Sequence, residues 1–189
     1  MFPEETLHCV EWARDLFGQL FSQAPKSALK ILEEGEKANP TSSQDIMAFR
    51  EGLSLLRERP KTFEDCVEHA REAFEHYFNH AVRQLLHVYP LDATTKEGAP
   101  FWSLPKRPPT PLVFDAENML HLKFIASMAC LRATIFRVKI PSDTPRTDEF
   151  RRLVGKMAAA VKVSDFVPDE AAAKEIQDSV DKNAVKNKD

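Results

Sequence analysis

Glycine is scarce in this sequence. Its 189 residues include five glycines, and the closest two are 17 positions apart. A phosphate-binding loop needs several small residues in close succession, so that backbone amides can approach the phosphate. The sequence therefore excludes a Walker-type loop and a glycine-rich dinucleotide-binding turn.

Long apolar runs are also missing. The uninterrupted apolar runs are only a few residues long, and the first 25 residues carry five charged side chains where a signal peptide needs an apolar stretch. A membrane-spanning helix needs about 20 predominantly apolar residues. The sequence therefore predicts neither a secretory nor a membrane-spanning segment, and no membrane partner.

Cysteine is rare, and its spacing fits no disulfide framework or zinc motif. Cys9, Cys66 and Cys130 are far apart and form no Cys-x-x-Cys pair, which is typical of structural thiols in a reducing compartment. Cys66 and Cys130 fall in apolar helical stretches and are predicted to be core thiols. Cys9 has only His8 nearby as a potential cation, so a nucleophilic role is not predicted.

Charge of one sign is not in large excess, but it is unevenly distributed. The net charge of −3 divides into −6 over residues 1–99, +6 over 101–163 and −3 over 164–189. No concentrated basic stripe with interleaved aromatics is present, so nucleic-acid binding is not predicted. The dipolar layout favours protein partners of complementary charge.

Helical periodicity is the main pattern that is present. Apolar side chains recur every three to four residues, no segment alternates with a period of two, and Ser42/Asp45 and Thr62/Asp65 match capping boxes. Helices are predicted over residues 4–21, 26–34, 43–59, 63–89, 120–136 and 149–161, with Pro25 marking a break. The predicted fold is mainly α: a compact multi-helix domain with a long central helix.

A proline-rich segment interrupts the helices. Residues 91–111 contain one glycine and five prolines, which leave no room for a helix or a central strand, while Phe101 and Trp102 require burial. We expect an ordered, packed loop. Trp102 is predicted to anchor it, with a partner contact as the alternative, and Lys106 and Arg107 to be a solvated pair.

The chain divides into two parts by composition. Residues 1–163 carry the helical pattern, whereas residues 164–189 are polar and poor in aromatics. We predict a helical domain over 1–163 and a polar linker or disordered tail over 164–189, with a nascent helix at 171–176.

Four histidines follow one line along the long predicted helix. His69, His76, His80 and His87 are separated by 7, 4 and 7 residues, which places them within about 40° of one another at about 100° per residue. A half-exposed polar flank is the favoured interpretation, and a metal-binding or pH-sensitive stripe is the alternative. Tyr77 follows His76 where a zinc peptidase needs glutamate, so that chemistry is excluded.

The stretch from residue 100 to 133 carries a distinctive ordered motif, made of Pro100, Phe101, Trp102, Ser103, Pro105, Lys106, Arg107, Pro111, Leu112, Phe114, Asp115, Leu120, His121 and Leu122. This motif resembles a segment of ubiquitin-activating enzymes. Matching residues upstream, in the same order, are Phe2, Pro3, His8, Trp12, Ala13, Arg14, Asp15, Phe17, Asp65, Cys66, Val67, Arg83, Gln84, Leu85, Leu86, His87, Tyr89 and Pro90. The resemblance covers about residues 2–140. It departs from the family at Met119, where relatives often have proline, and over 141–189.

The resemblance implies that the chain is the second catalytic cysteine half-domain, a mainly helical insert of the adenylating enzyme. The family's nucleophilic cysteine precedes the pair that Phe2 and Pro3 match, and is therefore expected upstream of Met1. None of the three cysteines matches that position. No catalytic, cofactor-binding or metal residue is assigned to this chain.

The resemblance also implies a reaction and its participants. In this family ubiquitin is adenylated with ATP and Mg, carried as a cysteine thioester, and passed to a conjugating enzyme. These 189 residues alone are expected to be inactive. Expected partners are ubiquitin, conjugating enzymes and the adenylation domains of the same parent chain. We expect a monomer located in the cytoplasm and nucleus. Alternatives are a free-standing helical protein-interaction module without thioester chemistry and, more weakly, a histidine-rich metal-binding bundle.

Overall fold

The computed structural model describes residues 6–35, 41–95, 97–104, 106–142, 144 and 147–186, with side chains up to residue 180. The helices are α1 (Thr6–Gly18), α2 (Ala24–Glu34), α3 (Ser43–Arg57), α4 (Phe63–Glu75), α5 (Ala81–Val88), α6 (Met119–Phe136), α7 (Asp148–Ala159) and α8 (Glu170–Lys186). The described residues contain no strand, and Thr94 and Pro100 form an isolated antiparallel bridge. The predicted mainly α fold is confirmed.

The predicted break at Pro25 is wrong. A π-helical turn, Gln19–Gln23, joins α1 directly to α2, and Pro25 lies in the first turn of α2. Proline in a regular helix removes one hydrogen bond and clashes with the carbonyl four residues earlier. The wider π turn changes the register there, since the Ala24 amide donates to the Gln19 carbonyl five residues back. The helix therefore continues past the proline.

The predicted helix caps are confirmed. Gly35 ends α2 with φ of +54°, a conformation that glycine adopts without a Cβ clash. Ser42 and Thr62 each accept a hydrogen bond from the amide of the third helical residue, whose carboxylate, Asp45 or Asp65, accepts one from the cap amide. Hydrogen bonds from the Ser42 hydroxyl and amide lower the pKa of the Asp45 carboxyl group, and those from the amides of Lys61 and Thr62 lower the pKa of the Asp65 carboxyl group.

The longest predicted helix is also confirmed, with an irregularity. α4 and α5 are joined by a second π turn, His76–His80, so the chain is helical from Phe63 to Val88. α6 begins at the Asn118 cap, whose side chain accepts from the Leu120 amide, and α7 begins at the Thr147 cap. The first helix was predicted to start at residue 4, which lies outside the described residues.

The core is built where α4, α6 and α7 meet. Its buried side chains are Phe63, Cys66, Val67, Ala70, Phe74, Ile125, Ala126, Met128, Ala129, Ala133, Phe150, Val154 and Ala158. Phe74 is its aromatic centre, with ring contacts to Phe78, Phe114, Phe124 and His121. α6 is long and apolar enough to cross a membrane by length and composition. Eight of its residues are buried in the fold, so a place in the core accounts for its apolar character.

Within residues 164–189, predicted as a polar linker or disordered tail, the structure describes α8, which includes the predicted nascent helix at 171–176 and packs on α5. Asp169 caps this helix by accepting from the amides of Ala171 and Ala172, and Ala173 is buried. Polar composition did not reveal this docking, because it depends on side chains of α5 that are distant in sequence.

Candidate functional site

The proline-rich loop is ordered by aromatic stacking next to the end of α5. The rings of Tyr89 and Phe101 stack in parallel with centroids 3.9 Å apart, and Phe101 is buried. The Trp102 indole N–H donates to the carbonyls of Tyr89 and Pro90, both at 3.0 Å. Trp102 is thus a loop anchor, as predicted.

Lys106 and Arg107 were predicted to be a solvated pair, but Lys106 contacts an aromatic ring. Its ammonium lies 4.0 Å from the centroid of the Phe101 ring, a cation–π contact that extends the stack of Tyr89 and Phe101. Arg107 is exposed. Pro105, between this lysine and the tryptophan, lies outside the described residues. The loop therefore holds Lys106 in place and leaves Arg107 at the surface.

The loop then joins the second π turn. The Leu112 amide donates to the Phe78 carbonyl, and the Asn79 side-chain amide donates to the Leu112 carbonyl, both at 2.8 Å. Further along, Phe114 packs against Phe74 and lies 4.6 Å beneath the Arg71 guanidinium. These contacts fix the start of α6 relative to α4 and the second π turn. α1 packs against this part of the fold, which is called the frame below.

α1 rests on that frame through Trp12 and leaves an apolar stripe facing outward. The Trp12 ring makes edge contacts with Tyr77 and Phe78 at 6.0 and 6.4 Å between centroids. Leu7, Val10 and Phe17 are all more than half exposed. Phe2 and Pro3, which the sequence analysis matched to the family, lie outside the described residues.

The three cysteines differ in their surroundings, and all are free thiols. Burial raises the pKa of Cys66 to about 11, and burial also raises that of Cys130. Nucleophilic cysteines have a lowered pKa and access to solvent, so both thiols have the properties of core residues. Cys9 is exposed on α1.

The four histidines have different contacts. The ring of His69 faces Arg132, His80 lies against Phe166, and His87 lies 3.3 Å from a carboxylate oxygen of Glu170. His76 is exposed beside Tyr77. No group of three or more His, Cys, Asp or Glu side chains in the described part of the chain is arranged to hold a metal ion. Regular helical spacing does not hold across the π turn, and the metal-binding interpretation has no support in this geometry.

Gln84 holds the start of α8 on α5, a role that the sequence analysis did not predict. It is buried on α5, its side-chain N–H donates to the Asp169 carbonyl at 2.8 Å, and its oxygen accepts from the Asp169 amide at 3.0 Å. The Arg83 guanidinium lies 4.7 Å from the Phe166 ring beside it. Both hydrogen bonds are to backbone atoms, so this contact positions the start of α8 through its main chain.

We expect Gln84→Ala to detach α8 without unfolding the core. The substitution removes two hydrogen bonds in a partly buried contact, which together contribute about 1–3 kcal/mol. Amide hydrogen exchange should therefore rise over residues 170–180 and stay unchanged in α4 and α6. Gln44→Ala, at an exposed position of α3, serves as the matched control. Unchanged exchange over α8 in the Gln84 variant would show that its docking has another origin.

The sequence analysis also did not predict that two arginines, Arg71 and Arg132, are buried. Arg71 forms a 2.6 Å ion pair with Glu75 within α4. Arg132 on α6 donates to the Glu58 carbonyl at 2.7 Å and lies 3.1 Å from His69 Nε2. Burial and the charge of Arg132 lower the pKa of His69 to about 4, so this ring is neutral at pH 7 and accepts from the guanidinium.

Comparison with known proteins identifies the family. The family model "Ubiquitin-activating enzyme, SCCH domain" matches residues 3–189, which extends the likeness through residues 141–189, where the residue-by-residue resemblance is poor. "Ubiquitin-activating enzyme E1 1" of Candida albicans is 43% identical over 156 residues, covering 81% of this chain and 15% of the relative. "Ubiquitin-like modifier-activating enzyme 6" of Homo sapiens is 36% identical over 172 residues, covering 88% of this chain and 16% of the relative.

A third relative agrees with these two. "Ubiquitin-like modifier-activating enzyme 1" of Dictyostelium discoideum is 38% identical over 171 residues, again 88% of this chain and 16% of the relative. The chain thus spans about one sixth of the length of the relatives that it matches. Because the family model matches nearly every residue, the chain belongs to the SCCH-domain family of ubiquitin-activating enzymes.

Proposed function

We propose that this chain is the second catalytic cysteine half-domain of an ATP-dependent ubiquitin-activating enzyme and scaffolds its thioester step. The match to the SCCH family over residues 3–189 carries the proposal. The buried thiol of Cys66 and the partly buried thiol of Cys130 support it, because a raised pKa makes each a poor nucleophile. The nucleophile is then supplied by a segment outside this chain, and ATP and Mg bind to the adenylation domains of the parent polypeptide.

The contribution of this chain is positional. Adenylation turns the C-terminal carboxylate of ubiquitin into a mixed anhydride, and a cysteine thiolate attacks it to form the thioester that a conjugating enzyme receives. Such an attack depends on holding thiolate and carbonyl in a near-attack geometry. α1, braced by Trp12 on Tyr77 and Phe78, supplies a fixed support for the cysteine-bearing segment. We also propose that the parent enzyme is located in the cytoplasm and nucleus. The half-domain is proposed to be a monomer.

A thioester assay with ubiquitin, ATP and Mg tests the proposal. We expect a reducible ubiquitin adduct on a parent polypeptide that contains this chain, and none on the 189 residues alone. Cys9→Ser in the parent should leave the adduct intact, because the nucleophile lies elsewhere. Pyrophosphate exchange, measured in parallel, reports adenylation separately from thioester formation.

The outcomes separate the candidate functions. An adduct on the isolated chain, or its loss in the Cys9→Ser parent, would overturn the assignment of the nucleophile. No adduct on either protein would favour a helical protein-interaction module, for which the exposed apolar residues of α1 are the supporting observation.

Trp12→Ala in the parent is expected to slow thioester formation while leaving pyrophosphate exchange unchanged, with Leu32→Ala on the exposed face of α2 as the control.

A further inference from the structure

The hairpin formed by α2 and α3 lies outside the core. Every buried side chain of the core cluster comes from α4, α6 or α7, and the nearest side chains of the preceding chain are Leu20 and Phe21 of the first π turn. α2 and α3 pack mainly on each other. A Cβ at Gly52 would lie 2.9 Å from the Ala28 nitrogen, so the two helices touch backbone to backbone at this position. The hairpin is therefore a unit with its own packing.

Two narrow connections join this hairpin to the rest of the fold. The first is the π turn Gln19–Gln23, where the helical hydrogen-bond register changes. The second is the link between α3 and α4, in which Glu58 caps α3 and Pro60 is buried. Departures from regular α-helical bonding and short links between elements are the places where a helical unit can pivot.

One buried guanidinium connects the hairpin to the core. Arg132 is 6% exposed, and it donates from Nη2 to the Glu58 carbonyl at 2.7 Å and from Nη1 to His69 Nε2 at 3.1 Å. The Glu58 carboxylate lies 3.9 Å from Nη2 and accepts from the Ser54 hydroxyl. Arg132 Nε is buried with no hydrogen-bond partner. Arg132 of α6 thus links the end of α3 to α4.

A cavity lies between the hairpin and the core beside this contact. Its volume is about 230 Å³. Its walls come from the first π turn and the start of α2, from α3, and from α4 and α6, and they include Phe21, Leu55, His69, Met128 and Arg132. This space opens to solvent, so it is a cleft that runs between the hairpin and the core. The guanidinium contact lies at this cleft.

We propose that the α2–α3 hairpin moves away from the core as a unit, pivoting about the first π turn and the α3–α4 link. The hydrogen bonds of Arg132 hold the hairpin in the closed position. Opening breaks the two Arg132 hydrogen bonds to Glu58 and His69 and widens this cleft. Once detached, the hairpin keeps only its own packing, so its helices unfold locally from the open state more often than from the closed one. The inference concerns the motion of this chain and stands independently of the proposed thioester function.

Amide hydrogen exchange of the Arg132→Met variant tests whether Arg132 holds the hairpin closed. Charge-assisted hydrogen bonds are strong, so their loss should accelerate exchange of the hairpin amides by about tenfold or more. Exchange in α4 and α7 should stay near the wild-type rate. Arg71→Met is the matched control, because it removes a buried arginine whose ion pair lies within one helix. This control should leave the hairpin unchanged relative to the core.

A second measurement keeps the proposal testable if the variant folds poorly. In the wild-type 189-residue chain, native-state exchange in low urea should show the hairpin amides opening together, with a smaller denaturant dependence than the amides of α4 and α6. Uniform acceleration across the whole chain in Arg132→Met, or wild-type hairpin amides that open only with global unfolding, would overturn the proposal.

Discussion

Phe74→Ala is expected to lower the free energy of unfolding by about 3–5 kcal/mol. Phe74 is fully buried, and its ring contacts those of Phe78, Phe114, Phe124 and His121. Truncation leaves a cavity at the meeting point of α4, α6 and the loop before α6. The surrounding rings are held by their own contacts, so they can fill this cavity only in part.

Urea unfolding followed by circular dichroism measures this loss. Phe17→Ala is the matched control, because Phe17 is 51% exposed on α1 and packs chiefly against Phe21. We expect the control to cost about 1 kcal/mol or less, as is usual for surface truncations. A Phe74→Ala variant as stable as the control would show that the aromatic cluster is not the centre of the core.

The second large effect is a loss of stability in mild acid that depends on His69. Its pKa is about 4 in the folded chain, against 6.5 for an unperturbed histidine, because the ring is partly buried and faces the charge of Arg132. The unfolded state therefore binds a proton first as the pH falls. The stabilisation is fully present above pH 6.5 and is lost progressively towards pH 4. Between pH 7 and pH 5 the expected loss is about 2 kcal/mol.

Other charged groups contribute differently to the pH dependence of stability. Glu58 lies across Arg132 and opposes its effect on the pKa of His69. Burial raises the pKa of Glu72, so protonation of that group favours the folded state as the pH falls. The lowered pKa values of Asp45 and Asp65 place their effect below about pH 4. The interval from pH 7 to pH 5 is therefore the one in which His69 is best observed.

The measurement compares urea unfolding at pH 7 and pH 5. His69→Gln removes the titrating group and keeps an oxygen that can accept from Arg132, so this variant should lose about 2 kcal/mol less than the wild type over the interval. His76→Gln, at an exposed position of the second π turn, should behave as the wild type does. Equal pH dependence in wild type and His69→Gln would contradict the partly buried, neutral histidine.

Local structure was predictable from the sequence to a large extent. The capping boxes at Ser42 and Thr62, the end of α2 at Gly35, and the long helix from Phe63 to Val88 were all predicted. Each depends on hydrogen bonds or side-chain spacing within a few residues, and such patterns are directly visible in sequence. The family, too, was identified from the ordered motifs between residues 100 and 133.

The π turns were not predictable in the same way. Periodicity analysis assumes a constant angle per residue, and one additional residue in a turn changes the register without leaving a compositional signal. For this reason Pro25 was predicted to break a helix that continues, and the histidines were predicted to share a stripe although their contacts differ. The Lys106 contact with Phe101 was missed because the path of a proline-rich loop is not periodic.

The sequence by itself determined the mainly α class, the helix ends and the family, because these follow from neighbouring residues and from motif order. The tertiary structure decided which polar side chains are buried together. Arg132 and His69 are 63 positions apart, and Gln84 and Asp169 are 85 apart. A buried polar side chain is stable only when packing brings its partner within hydrogen-bond distance. No local pattern encodes that encounter, so the contact that holds the α2–α3 hairpin and the one that docks α8 emerged only from the folded chain.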